Sequence, residues 1–141
     1  QAGFETILVQ SVVDEHSLEV LDAFLTSPAP AVIGAATFQT GRGGARPEYV
    51  LFDAAAHGQP GGTGRLANWD AIAQARTKNR FAHWPPFILA GGLNPANVAE
   101  AISRTTPAGV DVSSGVESAP GRKDPRKVEE FINTVRGQLT E

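Results

Sequence analysis

Short apolar runs alternate with amphipathic stretches along most of this chain. Phe4 to Gln10 reads as a buried strand, because Phe4, Ile7, Leu8 and Val9 are apolar and mostly β-favouring. Asp14, with Ser17 as a second candidate, caps a helix whose Leu18, Leu21, Phe24 and Leu25 fall on one face. Pro28 and Pro30 end that helix. Ala31 to Phe38 reads as a second strand, Gly41 to Pro47 as a loop, and Tyr49 to Asp53 as a third strand, apolar until its final carboxylate. Ala54 to Gly64 is a glycine-rich loop. Asn68 is placed as the N-cap of a helix to about Lys78 that turns Trp69, Ile72 and Ala73 inward. Phe87 to Ala90 is the fourth strand. Asn94-Pro95 is a cap followed by proline at the first helical position, opening a helix that buries Val98, Ala101 and Ile102. Val110 to Val112 makes the fifth strand. Asp124-Pro125 repeats the cap-and-proline device before a last helix lined by Val128, Phe131, Ile132 and Val135.

The order is therefore β-α-β-β-α-β-α-β-α, with nearly continuous apolar strands. That pattern predicts an α/β fold in which about five parallel strands are covered by helices, as a single domain over residues 1–141. One connection breaks it. Parallel neighbours need a crossover of a dozen or more residues, usually a helix, and the gap between the second and third strands is only about eleven. Either a helix is missing there or the strand ends differ.

Composition narrows the function classes. A hydrophobic content of 41% with 19% charged residues supports a buried core. The net charge of −3 and the absence of a basic block argue against nucleic acid as a partner. No apolar run approaches the ~18 residues of a membrane span, and no signal peptide is visible, so a membrane partner is not expected. Cysteine is absent, which excludes disulfides and thiolate chemistry from these residues. Methionine is absent too and the chain starts at Gln1, which reads as a fragment or processed piece.

Candidate chemistry gathers at the carboxyl ends of the strands, where ligands sit in parallel α/β folds: Asp53, then Gly61-Gly62-Thr63-Gly64, then Gly91-Gly92, then Asp111, Ser113, Ser114 and Gly115. Taken singly, a glycine pair after a strand is a tight turn, and Asp53 is a helix cap or turn residue. Two glycine-bearing turns in succession, each leading toward a helix start, form a seat for a phosphate against backbone N–H groups and helix dipoles. Asp111, inside an apolar strand, would need partners if buried. His16, His57 and His83 have no ligand spacing, so no metal site is expected. Glu15, Glu19, Glu129 and Glu130 read as solvated helix faces.

Several strings share a pattern. They are Leu51-Phe52-Asp53-Ala54, Gly61-Gly62-Thr63-Gly64 with Asn68-Trp69, the run from Phe87 to Val98, the run from Gly109 to Glu117, Lys123-Asp124 and Phe131-Ile132. In this order and approximate spacing, across roughly residues 49 to 137, they resemble the phosphoribosylanthranilate isomerase family. The resemblance implies a partial (β/α)₈ TIM barrel, strands four or five to eight, with these motifs on strands six to eight and residues 4 to 38 as strands four and five. Where the family carries Val-Gln-Leu-His-Gly on strand four, this chain has Val9-Gln10-Ser11-Val12-Val13.

The resemblance further implies a cytoplasmic isomerase of tryptophan biosynthesis that acts on a small phosphosugar substrate without a cofactor. Asp53 would be the general acid that protonates the furanose ring oxygen. Gly91, Gly92, Ser113, Ser114 and Gly115 would hold the phosphate with Asp111 beside them. Gly62, Thr63 and Gly64 would border the anthranilate pocket. The family's general base is a cysteine in a Lys-x-Cys-Gly motif on strand one, which this chain lacks. A barrel of at least ~200 residues is usual, so an amino-terminal segment of about three βα units, or a self-associated copy, is the expected partner. The chain alone is then expected to be inactive. The alternatives are a non-catalytic phosphosugar-binding or assembly module derived from that barrel, and another phosphate-binding barrel enzyme with a different base.

Overall fold

The computed structural model describes residues 7–11, 15–26, 32–33, 36–37, 47–53 and 68–138. In chain order these form β1 (Ile7–Ser11), α1 (Glu15–Thr26), β2 (Val32–Ile33), β3 (Ala36–Thr37), β4 (Tyr49–Asp53), α2 (Trp69–Thr77), β5 (Phe87–Leu89), α3 (Val98–Thr105), β6 (Gly109–Val110), β7 (Glu117–Ala119), β8 (Arg122–Lys123) and α4 (Pro125–Gln138). Short 3₁₀ turns lie at Arg80–His83 and Ser114–Val116. Phe4, Asp14, Pro28, Pro30 and the glycine-rich stretches at 41–46 and 54–67 lie outside the described residues.

Four strands make a parallel sheet in the order β1-β4-β5-β6. This corrects the expected second strand. Of residues 31 to 38, the described pairs 32–33 and 36–37 join antiparallel to each other, outside that sheet. β1 borders β4 directly, with α1 as the intervening crossover, so the connection that lacked a helix does not exist. The described residues within 4 to 38 thus supply one strand of the parallel sheet rather than two. On the resemblance's numbering of β4, β5 and β6 as strands six to eight, β1 would fall at strand five.

Local chemistry starts the helices largely as expected. Asn68 caps α2 by accepting the Ala71 N–H at 3.0 Å. Asp124 accepts the Arg126 N–H at 3.0 Å ahead of Pro125 at the start of α4. The regular part of α3 begins at Val98 rather than at Pro95, but Asn94 caps the turn that leads into it: its side chain accepts the Ala96 N–H at 2.9 Å and its carbonyl the Val98 N–H at 3.1 Å, with Pro95 in that first turn.

The core lies between the sheet and the helices. On β4 the buried Val50 and Phe52 alternate with half-buried Tyr49, Leu51 and Asp53. Val50, Phe52, Phe87 and Leu89 pack with Leu18, Leu21 and Leu25 of α1, Trp69 and Ile72 of α2, and Val98 and Ala101 of α3. Each large side chain fully buried this way stabilises the fold by about 1.5–3 kcal/mol. Phe52 stacks on Phe87 at 4.8 Å between centroids, and Phe81 and Trp84 complete an aromatic cluster whose Trp84 indole N–H donates to Asp22 at 2.7 Å. On α4 only Phe131 is buried. Ile132, expected inward, is 42% exposed, because α4 turns its inner side to α3 and to the 3₁₀ turn at Ser114–Val116 while its outer flank lines an open groove.

Candidate functional site

Three adjacent strand ends define one edge. Asp53 is the last residue of β4, half-buried and in register with Ser11 of β1. The ladder runs on past the strands: Ala90 N–H donates to the Phe52 carbonyl at 2.7 Å, and Asp111 N–H to the Leu89 carbonyl at 2.8 Å. Asp53, the Gly91-Gly92 turn and Asp111 therefore stand side by side at the carboxyl ends of β4, β5 and β6. Asp111 is exposed just beyond β6, not buried in a strand, so it carries no burial cost and needs no buried partner.

The turn after β5 is built on two left-handed residues, Gly91 at φ 83° and Gly92 at φ 68°. An L side chain is strained at either. Leu93 next to them is buried and pins the turn to the core. Asn97 finishes it: its side-chain amide donates to the Gly92 carbonyl at 3.0 Å and accepts the Asn94 N–H at 2.8 Å. The Asn94/Asn97 spacing is legible in the chain, but nothing in the sequence marks its use in fastening the glycine turn.

The turn after β6 carries Ser113 and Ser114 exposed, Gly115 half-buried and Val116 buried. Gly115 is a matter of space. A Cβ there would lie 1.7 Å from the Leu93 carbonyl oxygen, 2.8 Å from its carbon and 3.1 Å from Asn94 Cα. The two turns thus touch backbone to backbone. Both turns are legible in the sequence; the contact between them shows only in the structure.

A hairpin of β7 and β8 follows at once, turning through Gly121 at φ 77°. Lys123 Nζ donates to the Ser113 carbonyl and to Glu117 Oε1, each at 2.8 Å. Glu117 Oε2 accepts the Gly121 N–H at 3.0 Å. Hydrogen bonding from the Lys123 ammonium, and next from that N–H, holds the Glu117 carboxyl below the ordinary carboxylate range. Neither residue stood out as a site residue in the sequence; a hairpin flanking Pro120-Gly121 was the signal available.

Gly62, Thr63 and Gly64 lie outside the described residues. Among the described residues no group of three or more His, Cys, Asp or Glu side chains is arranged to hold a metal ion. No described helix is long and apolar enough to cross a membrane.

Residues 36–134 match the family model of N-(5'-phosphoribosyl)anthranilate isomerase. A relative of that name from Geotalea uraniireducens is 55% identical over 87 residues, covering 62% of this chain and 40% of the relative. The phosphoribosyl anthranilate isomerase of Thermotoga maritima matches in structure with a TM-score of 0.66 at 29% identity, over 95% of this chain and 52% of its own. A phosphoribosyl anthranilate isomerase in complex with reduced 1-(o-carboxyphenylamino)-1-deoxyribulose 5-phosphate matches at 0.61 and 26% identity, over 95% of this chain and 50% of its own. The four parallel strands and their helices are an arc of the (β/α)₈ barrel of these neighbours. The chain spans about half the length of the solved structures it matches, and less of the curated relatives.

Proposed function

This chain belongs to the N-(5'-phosphoribosyl)anthranilate isomerase family, and on that premise we propose that it supplies the acid and the phosphate seat of that family's reaction in tryptophan biosynthesis. The reaction rearranges N-(5-phosphoribosyl)anthranilate to an aminoketose. Asp53 gives its proton to the furanose ring oxygen, the C1′–oxygen bond breaks, and the anilino nitrogen lone pair takes up the positive centre as an iminium. A general base then removes the C2′ proton, and the enolamine tautomerises to the ketone. The substrate phosphate lies against the N–H groups of the two glycine turns, with Asp111 beside it, and Gly62, Thr63 and Gly64 border the anthranilate ring.

One observation carries this reading: the proposed acid and both proposed phosphate turns sit on consecutive strand ends, the turns in backbone contact. Strand ends about 4.8 Å apart suit the reach from a sugar ring to its 5′-phosphate. The 141 residues hold no cysteine, so the base that the family resemblance implies must come from outside them. That same observation favours the second reading, a phosphosugar-binding module without turnover. Neither needs a cofactor, and a cytoplasmic setting fits both.

The partner follows from the sheet edges. Among the described residues β1 and β6 each have a single ladder neighbour, β4 and β5. Such edges pair with other chains. The proposed occupant is an amino-terminal barrel half or a second copy of the chain. Mixing the chain with a cysteine-bearing amino-terminal half from a relative tests both points. Restored turnover and a soluble complex by light scattering are expected. Phosphosugar binding without turnover in that complex would install the second reading instead, and a stable monomer at micromolar concentration would remove the partner.

A further inference from the structure

We infer that Lys123 is a positioning residue for the phosphate turn, aiming the Ser114 N–H by holding the opposite side of the same peptide. The inference rests on the reading above that this turn receives the phosphate. Ser113 has φ −120° and ψ −91°, so neither a helix nor a strand ladder holds its carbonyl. Among the described residues the only backbone N–H bonded to that oxygen is that of Val116, at 3.5 Å, too long for a good hydrogen bond. Lys123 Nζ reaches it at 2.8 Å, and a bond from an ammonium is roughly twice as strong as a neutral one. Lys123 is therefore the principal partner of the Ser113 carbonyl.

A trans peptide is planar, with its C=O and N–H pointing opposite ways. Fixing the Ser113 oxygen toward Lys123 fixes the Ser114 N–H away from it. The ammonium itself is anchored by Glu117 at 2.8 Å, a carboxylate whose side chain is only 15% exposed. Glu117 is anchored in turn by the Gly121 N–H and by Lys127, whose Nζ donates to the Glu117 carbonyl at 2.7 Å. The hairpin thus acts as a clamp that sets one peptide plane before any ligand arrives, which lowers the ordering cost of binding.

The test uses the full chain, ¹⁵N-labelled, with inorganic phosphate as the probe. In the parent chain, phosphate should move the Gly92, Ser114 and Gly115 amide resonances. Lys123→Met should weaken phosphate about tenfold, the scale of one lost charge-assisted hydrogen bond, and lower the ligand-free order parameter of Ser114 from about 0.85 toward 0.6. Lys123→Arg should restore most of both. Glu117→Gln, which keeps the shape but weakens the anchor, should give a smaller loss of the same kind and carries the test if Lys123→Met fails to fold. Parent-like affinity in Lys123→Met overturns the inference. So does weakened affinity with Ser114 order unchanged, which would make Lys123 a direct counter-charge. No phosphate response at these amides in the parent chain overturns the phosphate reading itself, and Lys123 is then only a structural clamp.

Discussion

The two sides of this sheet's architecture are held by different physics. Its helix-covered face is a side-chain assembly: Val50, Phe52 and Leu89 are fully buried, and their neighbours are other apolar side chains that can shift in response to a change. Its carboxyl edge is a backbone assembly. Gly91 and Gly92 supply dihedrals, Gly115 supplies proximity, and Asn97, Lys123 and Glu117 fasten carbonyls and N–H groups. A core of the first kind tolerates hydrophobic replacement of similar volume. An edge of the second kind has no spare atom to give, and its few side chains serve mainly to point the main chain.

The largest expected effect separates function from both assemblies. In the complex with a cysteine-bearing barrel half, Asp53→Asn should lower turnover by ~10²–10⁴-fold, the usual worth of a positioned acid, while the melting temperature stays within a few degrees. Steady-state kinetics beside calorimetry reads both. Near-parental turnover would take Asp53 out of the mechanism and leave it an edge residue like any other.

Next, Phe52→Ala removes the ring at the centre of the aromatic cluster and should cost about 3–5 kcal/mol of stability, measured by urea unfolding. Its replacement by Leu should cost far less. If Leu were as damaging as Ala, the helix-covered face would be as intolerant as the edge, and the contrast would fail.

Gly115→Ala adds one carbon at the point where the turns meet. The atom it strikes is a main-chain carbonyl, so relief requires the turns to part, at about 1–3 kcal/mol on the scale of overpacked sites. Inorganic phosphate should lose affinity at the same time. Gly109→Ala is the control, since a Cβ there meets only Ile88 Cγ1 at an ordinary 3.8 Å. Equal tolerance at the two glycines would show that the edge yields like the core.

The smallest effect is in pH. Glu117 binds its proton less readily folded than unfolded, because Lys123 and then the Gly121 N–H stabilise its charged form. The stabilisation is complete above the ordinary glutamate value of about 4.3 and disappears as pH falls through the depressed folded value. A carboxyl resonance titration of Glu117 should therefore show a midpoint below that value, returning toward it in Lys123→Met. A midpoint at or above the ordinary value would break the clamp's electrostatic side.

What the chain disclosed in advance follows the same division. The caps at Asn68 and Asp124 were readable because a cap bonds to residues two or three positions away. The strand ends carrying Asp53, Gly91 and Asp111 were readable because a parallel α/β pattern orders its own edge. The apolar run at 31–38 misled because hydrophobicity marks a strand without naming its neighbour; its described pairs 32–33 and 36–37 bond to each other. On the resemblance's strand numbering, the pairing of β1 with β4 would put β1 one place later than strand four, which would account for the poor match of Val9-Gln10-Ser11 to the family's strand-four motif. Ile132 was placed inward by helical periodicity, which does not say how many sides of a helix have neighbours. The Gly115 contact and the Lys123–Glu117 clamp had no periodic signature at all, because each depends on where two separate backbones cross.

The Leu93–Gly115 contact also bears on the order in which this molecule can come together. The two turns lie on either side of α3, and they cannot touch until β6 has docked beside β5 with that helix folded over them. The proposed anion seat is consequently not a local feature that a stretch of chain can form early. It comes into existence only with the closure of one complete strand–helix–strand unit. An anion bound there would favour that closed unit over its opened forms by mass action, so phosphate affinity should fall in any variant that opens this part of the sheet.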